Sequence, residues 1–268
     1  MNNDLLPQAD EIAFVPTMGA LHDGHLTLIR RARELSETVV VSIFVNPLQF
    51  DNPDDLAKYP RDLAGDSAKA LAAGATHIWA PTFAEIYPES SGDGAEVKRL
   101  SAGTVGSTFE GASRPGHFDG MLTVVHRLFE AVAPKYAIFG EKDLQQLFIV
   151  KDWVKQSGFP VEIIPAPIVR EADGLAMSSR NVRLSAAGRA AATVISRALR
   201  SGNRSSMAEI LASEPLFTLD YAEIIDPESF TAATDATVNP RAIVAGWIDG
   251  VRLIDNMQVQ TTEVGAAK

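Results

Sequence analysis

Cysteine is absent from the 268 residues, and so are long hydrophobic runs. The absence of cysteine excludes disulfides, thiolate zinc sites, iron–sulfur clusters and a cysteine nucleophile, and it is typical of a reducing compartment. No apolar run approaches the roughly 20 residues that a membrane-spanning helix needs. The first residues are acidic and lack the order of a secretory signal, basic and then apolar. We therefore expect a cytoplasmic protein without a membrane partner.

Positive charge is scarce as well. The chain has 24 Lys and Arg against 34 Asp and Glu, a formal net charge of −10. Such a surface repels phosphate backbones at long range, so we expect no nucleic-acid partner. The content of 46% apolar and 22% charged residues is ordinary for a globular protein and excludes disorder and fibrous repeats.

Two common nucleotide-binding motifs are also missing. The sequence has no Gly-x-x-x-x-Gly-Lys-Ser/Thr loop and no Gly-x-Gly-x-x-Gly after a strand. The first absence excludes a P-loop enzyme, and the second argues against a hydride-transferring Rossmann enzyme.

Strand-like and helix-like segments alternate over the first two-thirds of the chain. This order predicts an α/β fold, a Rossmann-like, doubly wound parallel sheet with helices on both faces. Ligands bind at the carboxyl ends of the strands in this architecture, so the loops there are the places to inspect. The predicted strands are 12–16, 38–45, 76–80, 136–139 and 161–164, and the predicted helices cover 28–35, 62–73, 121–132 and 144–156, with mostly loop over 82–117.

A Pro-Ala-Pro sequence at 165–167 predicts a domain boundary. Residues 1–167 are expected to form the Rossmann-like domain, and residues 168–268 a smaller α+β domain. In the smaller domain Ser185 is expected to cap a helix. Its predicted strands are 219–225, 242–248 and 251–254, and the last two are joined by Asp249-Gly250, a hairpin signal.

The first loop, PTMGALHDGH at residues 16–25, opens a helix. Unpaired N–H groups and the helix dipole make such a start an anion site, and its glycines let a ligand approach the backbone. His22 and His25 share one edge of the first turn. Their N–H groups could donate to phosphate oxygens where charge develops. The alternatives are a glycine-rich turn with surface histidines and a zinc site, for which no third ligand is evident nearby.

The loops after the second and fourth predicted strands carry further polar groups. The amides in NPLQF at 46–50 suit hydroxyl and carboxylate oxygens, although a plain Asn-Pro turn is the alternative. In GEKDLQQ at 140–146, Lys142 could meet phosphate, and Asp143 could cap the helix or hold a ribose hydroxyl. The alternative for that segment is a capped helix with a solvated lysine.

The segment MSSRN at 177–181 is a dense set of donors at the domain junction. A mobile loop with two hydroxyls and a guanidinium suits closure over a triphosphate, and an ordinary polar loop is the alternative. His77 and His126 are expected to be structural, and the role of His117 stays open. Phosphate binding by His-x-x-His, a lysine and a Ser-Ser-Arg loop is typical of adenylyl transfer.

Six segments, in order across residues 14–185, resemble the pantoate–β-alanine ligase (pantothenate synthetase) family. This family belongs to the nucleotidyltransferase superfamily with a His-x-Gly-His signature, which stands here as residues 22–25. The matching segments are FVPTMGALHDGH, IFVNPLQF, YPRD, EGASRPGHFDG, FGEKDLQQ and DGLAMSSRNVRLS.

The resemblance implies a two-step reaction. The carboxylate of pantoate attacks the α-phosphorus of Mg-ATP, which gives pantoyl adenylate and pyrophosphate, and the amine of β-alanine then displaces AMP to form pantothenate. A mixed anhydride is already activated, so no covalent nucleophile is required, and the enzyme mainly aligns the reactants. The resemblance also implies a homodimer.

Site residues are carried over from the family by motif. Gln49 and Gln146 would bind pantoate, with Gln49 also near β-alanine, and Asp66 would be the magnesium-side carboxylate. Val169 would lie near the adenine. The implied catalytic residues are His22, His25, Lys142, Ser178, Ser179 and Arg180. The implied ATP-binding residues are Met18, Gly19, Ala20, Leu21, His22, Asp23, Gly24, His25, Gly140, Glu141, Lys142, Asp143, Val169, Met177, Ser178, Ser179 and Arg180.

The chain departs from the family pattern in two places. Family members begin with some twenty more residues, so either the sheet is trimmed or the start is incomplete. After YPR they carry acidic residues on both sides of the position that Gly65 holds here. Two other functions stay open: an adenylyltransferase of the same superfamily that acts on a nucleotide or phosphopantetheine, and a nucleotide-sensing module without turnover.

Overall fold

The computed structural model describes residues 6–9, 11–90 and 97–260, and the chain forms two compact units, Met1–Val169 and Arg170–Lys268. This division falls two residues beyond the expected boundary after Pro167. Residues 91–96 of the predicted loop and both ends of the chain lie outside the described residues. In the part that is described, no helix is long and apolar enough to cross a membrane.

A parallel sheet forms the centre of the first unit. Among the described residues, its strands are β1 (Ile12–Thr17), β2 (Thr38–Ile43), β3 (His77–Trp79), β4 (Tyr136–Gly140) and β5 (Glu162–Ala166). They are ordered β3-β2-β1-β4-β5, and every pair is parallel. The order reverses between β1 and β4, which is where doubly wound sheets bind ligands.

Helices connect the strands of the first unit. Two of the connections, β1 to β2 and β4 to β5, each run through a single helix. The helices are α1 (Asp23–Leu35), α2 (Pro53–Ala57), α3 (Leu63–Ala72), α4 (Phe83–Ile86), α5 (Glu110–Ser113), α6 (His117–Val132) and α7 (Leu144–Ser157), with 3₁₀ turns at Pro47–Gln49, Val105–Ser107 and Glu141–Asp143.

Both faces of this sheet are buried, as a doubly wound fold requires. Successive side chains of a strand point to opposite faces. Phe14 of β1 belongs to the core that includes Phe129 of α6, and the two rings meet edge to face at 6.3 Å. Its neighbour Val15 belongs to the other core, with Ile29 of α1. The near-continuous apolar strands of the sequence are explained by this double coverage, and the predicted fold class is confirmed.

The structure differs from the prediction mainly between 82 and 120. Helices α4 and α5 lie in the predicted loop, and α6 begins at His117 rather than Met121. A four-residue helix is too short to show a periodicity, and α4 is held instead by a capping box in which Thr82 and Glu85 bond each other's backbone. The first turn of α6 is buried at His117 and Phe118, and a single turn is likewise too short to reveal that pattern.

The second unit is an antiparallel sheet with helices. Its sheet order is β7-β6-β8-β9. Ser185 accepts from the Gly188 N–H at 3.0 Å and caps the first helix, as predicted. Asp249 and Gly250 have φ of +53° and +71°, as a hairpin turn of type I′ requires. The elements are α8 (Ala186–Ala191), α9 (Thr193–Arg200), α10 (Arg204–Ala212), β6 (Thr218–Asp226), β7 (Thr231–Ala232), β8 (Arg241–Ile248) and β9 (Val251–Gln258).

Candidate active site

The loop that leaves β1 is held by Asp66 of α3. The Ala20 N–H donates to Asp66 Oδ2 at 2.7 Å, and the Leu21 N–H donates to Oδ1 at 2.8 Å. Gly19 and Ala20 have φ of +83° and +52°, a left-handed conformation that costs a non-glycine residue about 1–2 kcal/mol. A Cβ at Gly19 would lie 2.9 Å from Asp66 Oδ2. The carboxylate and the glycine therefore fix the path of this loop.

This geometry disfavours the magnesium role that we expected for Asp66. The residue is 1% exposed, and both of its oxygens already accept backbone N–H groups. Lys69 Nζ lies 3.9 Å from Oδ1 and donates to the Leu21 carbonyl at 3.0 Å. The described residues contain no group of three acidic or histidine side chains that could surround an ion. Asp66 does not fit a metal ligand, and the structure gives it a positioning role.

Most backbone N–H groups at the start of α1 donate to atoms of the protein itself. This corrects the phosphate-binding mode that we expected from the sequence. We expected free N–H groups to cradle phosphate. Instead, the N–H groups of Gly19, Ala20, Leu21, His22 and Gly24 donate to Thr17 Oγ1, Asp66 Oδ2, Asp66 Oδ1, His25 Nδ1 and His22 Nδ1 respectively. The Leu21 side chain is 3% exposed and belongs to the core. The donors left for a ligand are side chains.

His22 and His25 cap α1 reciprocally. His22 Nδ1 accepts from the Gly24 N–H at 3.1 Å, and His25 Nδ1 accepts from the His22 N–H at 3.3 Å. A ring nitrogen that accepts carries no proton, so both imidazoles hold their proton on Nε2. The ring centroids lie 4.1 Å apart. This arrangement offers two adjacent Nε2–H donors and makes the rings hydrogen-bond donors rather than bases.

Burial keeps both histidines neutral at physiological pH. Desolvation is the main cause in each case, and it lowers the pKa of His22 to about 4 and that of His25 to about 3. The charge of Lys142 lowers the pKa of both histidines further, while Asp143 acts in the opposite direction. The loop after β4 is therefore close enough to the start of α1 for its charges to act on the rings.

The loop after β2 presents the predicted amide of Gln49. Gln49 is 8% exposed; its Oε1 accepts from Asn46 Nδ2 at 3.1 Å, and its Nε2 donates to Met18 Sδ at 3.2 Å. The contact with Met18 joins the loops after β1 and β2. Helix α6 approaches this loop so closely that a Cβ on Gly120 would lie 2.0 Å from the Leu48 carbonyl oxygen.

His117, whose role the sequence left open, binds the backbone of this loop. Its Nδ1–H donates to the Gln49 carbonyl at 2.7 Å, and its Nε2 lies 3.1 Å from Arg114 Nη1. Arg114 also donates to the Gln49 carbonyl, at 3.2 Å. His117 is thus a buried structural group. His126 packs on Trp153 at 5.4 Å and is structural too, as expected.

Two neighbouring glutamines in the first turn of α7, Gln145 and Gln146, differ in their contacts. Gln145 is 5% exposed; it donates to the carbonyls of Val105 and Thr108 and accepts from the Glu110 N–H. Gln146 is partly exposed, and its amide makes no hydrogen bond within the described residues. Gln145 is therefore committed to the fold, whereas Gln146 keeps the capacity to bind a ligand that the prediction assigns to it.

Charged residues of the same loop precede α7. Lys142 Nζ lies 3.9 Å from Asp143 Oδ1. Asp143 stands at the N-cap of α7, but its side chain makes no capping hydrogen bond, so that role for Asp143 is not observed. Glu141 and Lys142 lie in the 3₁₀ turn that follows Gly140. Asp143 thus remains available for the predicted ribose contact.

The predicted phosphate loop of the second unit has its own local structure. Ser178 Oγ accepts from the Arg180 N–H at 3.3 Å and caps a 3₁₀ helix, Ser179–Arg183. Asn181 Nδ2 donates to the Ala176 carbonyl at 3.1 Å. Met177 to Arg180 are all partly exposed, as is Val169 at the end of the first unit. The roles predicted for these residues stay predictions.

The structure thus brings together His22, His25, Lys142 and Gln49 at one edge of the first unit's sheet, in loops that follow the strands. Because parallel strands end at the same edge, this much follows from the sequence. Sequence reasoning missed Tyr87, whose hydroxyl donates to Asn46 Oδ1 at 3.0 Å. Nothing in its local sequence marks it, since the partner lies 41 positions away.

These features define an α/β protein in which two neutral imidazoles lie at a helix start near a lysine, at the carboxyl edge of a parallel sheet. The chain matches the family Pantoate-beta-alanine ligase over residues 2–258. Pantothenate synthetase of Thermus thermophilus is 48% identical over 260 residues, 92% of this chain and 93% of that protein. The enzyme of Heliobacterium modesticaldum is 47% identical over 262 residues, 93% and 92% of the two chains.

Solved structures agree with this match. The crystal structure of pantothenate synthetase from Thermus thermophilus superposes with a TM-score of 0.90 at 44% identity, covering 97% of this chain and 96% of that one. A pantoate-beta-alanine ligase from Francisella tularensis, complexed with β-γ ATP and β-alanine, has a TM-score of 0.83 at 35% identity, covering 97% and 94%. The chain belongs to the pantoate–β-alanine ligase family, which confirms the resemblance seen in its sequence.

Proposed function

We propose that this chain joins pantoate to β-alanine at the expense of ATP, through a pantoyl adenylate. The observation that carries the proposal is the histidine cap, two neutral Nε2–H donors whose Nδ1 atoms are bound to the backbone. Family membership supports it, and so does the Francisella tularensis relative, whose structure is a complex with a β-γ ATP and β-alanine. The activity is an amide-forming ligation that releases AMP and pyrophosphate.

In the first step a pantoate carboxylate oxygen bonds to the α-phosphorus, and the bond from that phosphorus to pyrophosphate breaks. Negative charge then builds on the departing phosphates. His22 and His25 donate hydrogen bonds to these oxygens, and Lys142 supplies positive charge. Because the rings are already neutral and fixed, they need no reorganisation when the charge develops.

In the second step the amine of β-alanine bonds to the carbonyl carbon of the adenylate, and the bond from that carbon to the phosphate oxygen breaks. AMP departs with that electron pair, and the proton lost by the amine passes to solvent. The chain has to hold the acid and the amine in line, because alignment of two reactants lowers a barrier substantially. Gln49 and Gln146 bind pantoate in this proposal. The polar amide of Gln146, unbonded within the described residues, supports that assignment.

The remaining contacts concern ATP. Loop residues Met18 to His25, apart from the buried Leu21, and Gly140 to Asp143 line the nucleotide, with Val169 near the adenine. Met177, Ser178, Ser179 and Arg180 of the second unit bind the phosphates. Both Asp66 oxygens are occupied by backbone N–H groups, so a magnesium ion that accompanied the nucleotide would be held mainly by phosphate oxygens and would supply positive charge there. We further propose a homodimer, as the family resemblance implies, and a cytoplasmic location, which the absence of cysteine supports.

One assay tests the proposal. Radiolabelled pyrophosphate should exchange into ATP only when pantoate is present, and β-alanine should then release AMP with formation of pantothenate. Exchange that requires another acid or nucleotide would show a different adenylyltransferase, and no exchange with any acid would show a module without turnover. His25→Ala should slow adenylate formation by about a hundredfold, the scale of one lost transition-state donor. His77→Ala, at a structural histidine of β3, is the matched control.

A further inference from the structure

A chain of buried hydrogen bonds leads from Tyr87 to the substrate edge of the sheet. The Tyr87 hydroxyl donates to Asn46 Oδ1 at 3.0 Å, and Asn46 Nδ2 donates to Gln49 Oε1 at 3.1 Å. Gln49 Nε2 then faces Met18 Sδ at 3.2 Å. Tyr87 is 0% exposed and Asn46 is 1% exposed, so water does not compete for these bonds. This series of hydrogen bonds ends at the amide of Gln49, which we propose binds pantoate.

Backbone groups determine which atoms donate and which accept in this series of hydrogen bonds. Asn46 Oδ1 also faces the Leu48 N–H at 3.3 Å, and Asn46 Nδ2 also faces the Gly120 carbonyl at 3.1 Å. An N–H can only donate and a carbonyl can only accept, so the amide of Asn46 has one possible orientation. The phenol must then donate, and the Gln49 atom that faces Nδ2 must be the oxygen.

The amide of Gln49 therefore has a defined polarity toward a ligand. Its oxygen is used by Asn46, and its Nε2 protons are left for the substrate side. There, among the residues that the structure describes, Nε2 meets only the thioether of Met18, which is a weak acceptor. A ligand oxygen is a stronger acceptor and can replace it, whereas an ammonium group, which only donates, cannot. Gln49 is thus built to recognise an oxygen acceptor.

We propose that Tyr87 is a positioning residue for substrate recognition: through Asn46 it holds the amide of Gln49 with Nε2 toward the ligand, where it donates to a pantoate oxygen. This inference rests on the proposed function. Its new element is the buried hydroxyl, which touches no substrate. The Tyr87 ring is independently held by Phe83, at 4.9 Å between centroids, and by Phe44, at 6.5 Å.

The test is Tyr87→Phe, which keeps these ring contacts and removes only the donor. We expect the KM for pantoate in the exchange assay to rise about fivefold to tenfold, the effect of one lost buried hydrogen bond, while the KM for ATP stays unchanged. Tyr136→Phe, which removes a hydroxyl at the start of β4, is the matched control. Equal pantoate KM values for Tyr87→Phe and Tyr136→Phe would overturn the inference.

A double-mutant cycle separates positioning from general stability. If Tyr87 acts through Gln49, Tyr87→Phe should have no further effect on the pantoate KM in a Gln49→Ala background. An equal effect in both backgrounds would show that the hydroxyl acts elsewhere. Absence of pantoate-dependent exchange in the wild-type protein would overturn the proposed function together with the inference. A wild-type pantoate KM in Tyr87→Phe would overturn the inference alone.

A measurement on the unsubstituted chain covers the case in which Tyr87→Phe does not fold. In protein labelled with ¹⁵N-glutamine, the Nε2 signals of Gln49 are those lost in Gln49→Ala. Saturating pantoate should shift them downfield, because an oxygen replaces the thioether as acceptor. Unshifted Gln49 signals in a sample that catalyses pantoate-dependent exchange would contradict the inference.

Discussion

At the scale of single residues, the histidine pair combines two tasks that are usually separate. Each Nδ1 satisfies a helix-start N–H, and each Nε2–H stays available to a ligand. The capping bond sets the tautomer, so structure and chemistry depend on the same two rings. Burial completes the arrangement by keeping both rings uncharged.

The lowered pKa values predict how stability depends on pH. In the unfolded chain a histidine takes up a proton near pH 6.5, whereas in the folded chain the pKa is about 4 for His22 and about 3 for His25. The unfolded state therefore binds more protons between these values. The stability contributed by the neutral rings is fully present above about pH 6.5 and is lost as the pH falls toward 3.

Urea unfolding at pH 7 and pH 5 measures this loss. The variant His22→Gln with His25→Gln should lose less stability between these two pH values than the wild type. His77→Gln, in the edge strand β3, serves as the control for a histidine outside the cap. A double variant with the same pH dependence as the wild type would contradict the assignment of neutral histidines.

Asp66 is the residue whose predicted role the structure changes most. In Asp66→Asn one acceptor becomes an NH₂ group that faces a backbone N–H, so we expect a loss of about 1–3 kcal/mol in the free energy of unfolding. The KM for ATP should rise as the loop relaxes. Ser67→Ala, one position along α3, is the control for both measurements.

Magnesium distinguishes the two roles of Asp66. If the carboxylate positions the loop, raising the magnesium concentration should not restore the KM of Asp66→Asn for ATP. Restoration of this KM by excess magnesium would instead support a role of Asp66 as a magnesium ligand.

At the scale of elements, the sequence predicts those helices and strands that show a repeating pattern or a run of apolar residues. The sheet strands, α1, α3 and α7 have apolar periods or runs long enough to see, and the Asp-Gly hairpin has its own signal. Helices α2, α4 and α5 consist of one turn and depend on caps and on tertiary contacts. Helix α10 and strand β7 were missed, the latter because two residues carry no pattern.

The candidate site likewise contains groups that could be predicted from the sequence and groups that could not. Loops at the carboxyl ends of strands could be placed from the order of the strands, and they contain the histidines, Gln49 and Lys142. The partners that orient these groups could not be placed, because Asp66 and Tyr87 reach their targets across 46 and 41 positions of sequence. Only the folded sheet brings such pairs together.

Helix α7 offers a prediction with two adjacent residues. Gln145→Ala leaves carbonyls of the 105–110 segment without their donor, so we expect a loss of about 1–3 kcal/mol in stability. Phe109, whose φ is +46°, lies between the two residues Thr108 and Glu110 whose backbone Gln145 binds. Gln146→Ala should keep the urea midpoint of the wild type and raise the KM for pantoate.

Each variant is the other's control in this comparison. Urea unfolding and the exchange assay are to be run on both proteins. A Gln146→Ala protein that is less stable than Gln145→Ala would contradict the division of roles. Equal increases of the KM for ATP and for pantoate in Gln146→Ala would point to a general defect.

At the scale of the whole molecule, the chain has two units with separate cores, and the family resemblance assigns ATP-binding residues to each of them. The cores of the first unit lie on the two faces of its parallel sheet, and the second unit has a core of its own between α8–α10 and the antiparallel sheet. The proposed phosphate loop, residues 177–181, belongs to the second unit. A net charge of −10 means that local donors must attract the triphosphate.

Hydrogen exchange tests whether nucleotide orders that loop. A triphosphate carries more negative charge than Lys142 neutralises, so we expect Mg-ATP to protect residues 177–181 from exchange through contacts with Ser178, Ser179 and Arg180. Arg180→Ala should lose both the protection and adenylate formation. Arg183→Ala, in the same 3₁₀ helix, is the control. An exchange rate that Mg-ATP leaves unchanged would reject ordering of residues 177–181 by the nucleotide.

The histidine cap also makes position 22 a point where stability and function compete. Serine and aspartate are preferred residues at a helix start and would satisfy the same N–H group. Neither would present a neutral ring donor to phosphate. A screen for thermal tolerance and a selection for pantothenate synthesis should therefore enrich different residues at this position, and a design that replaces His22 for stability alone would remove its ring donor.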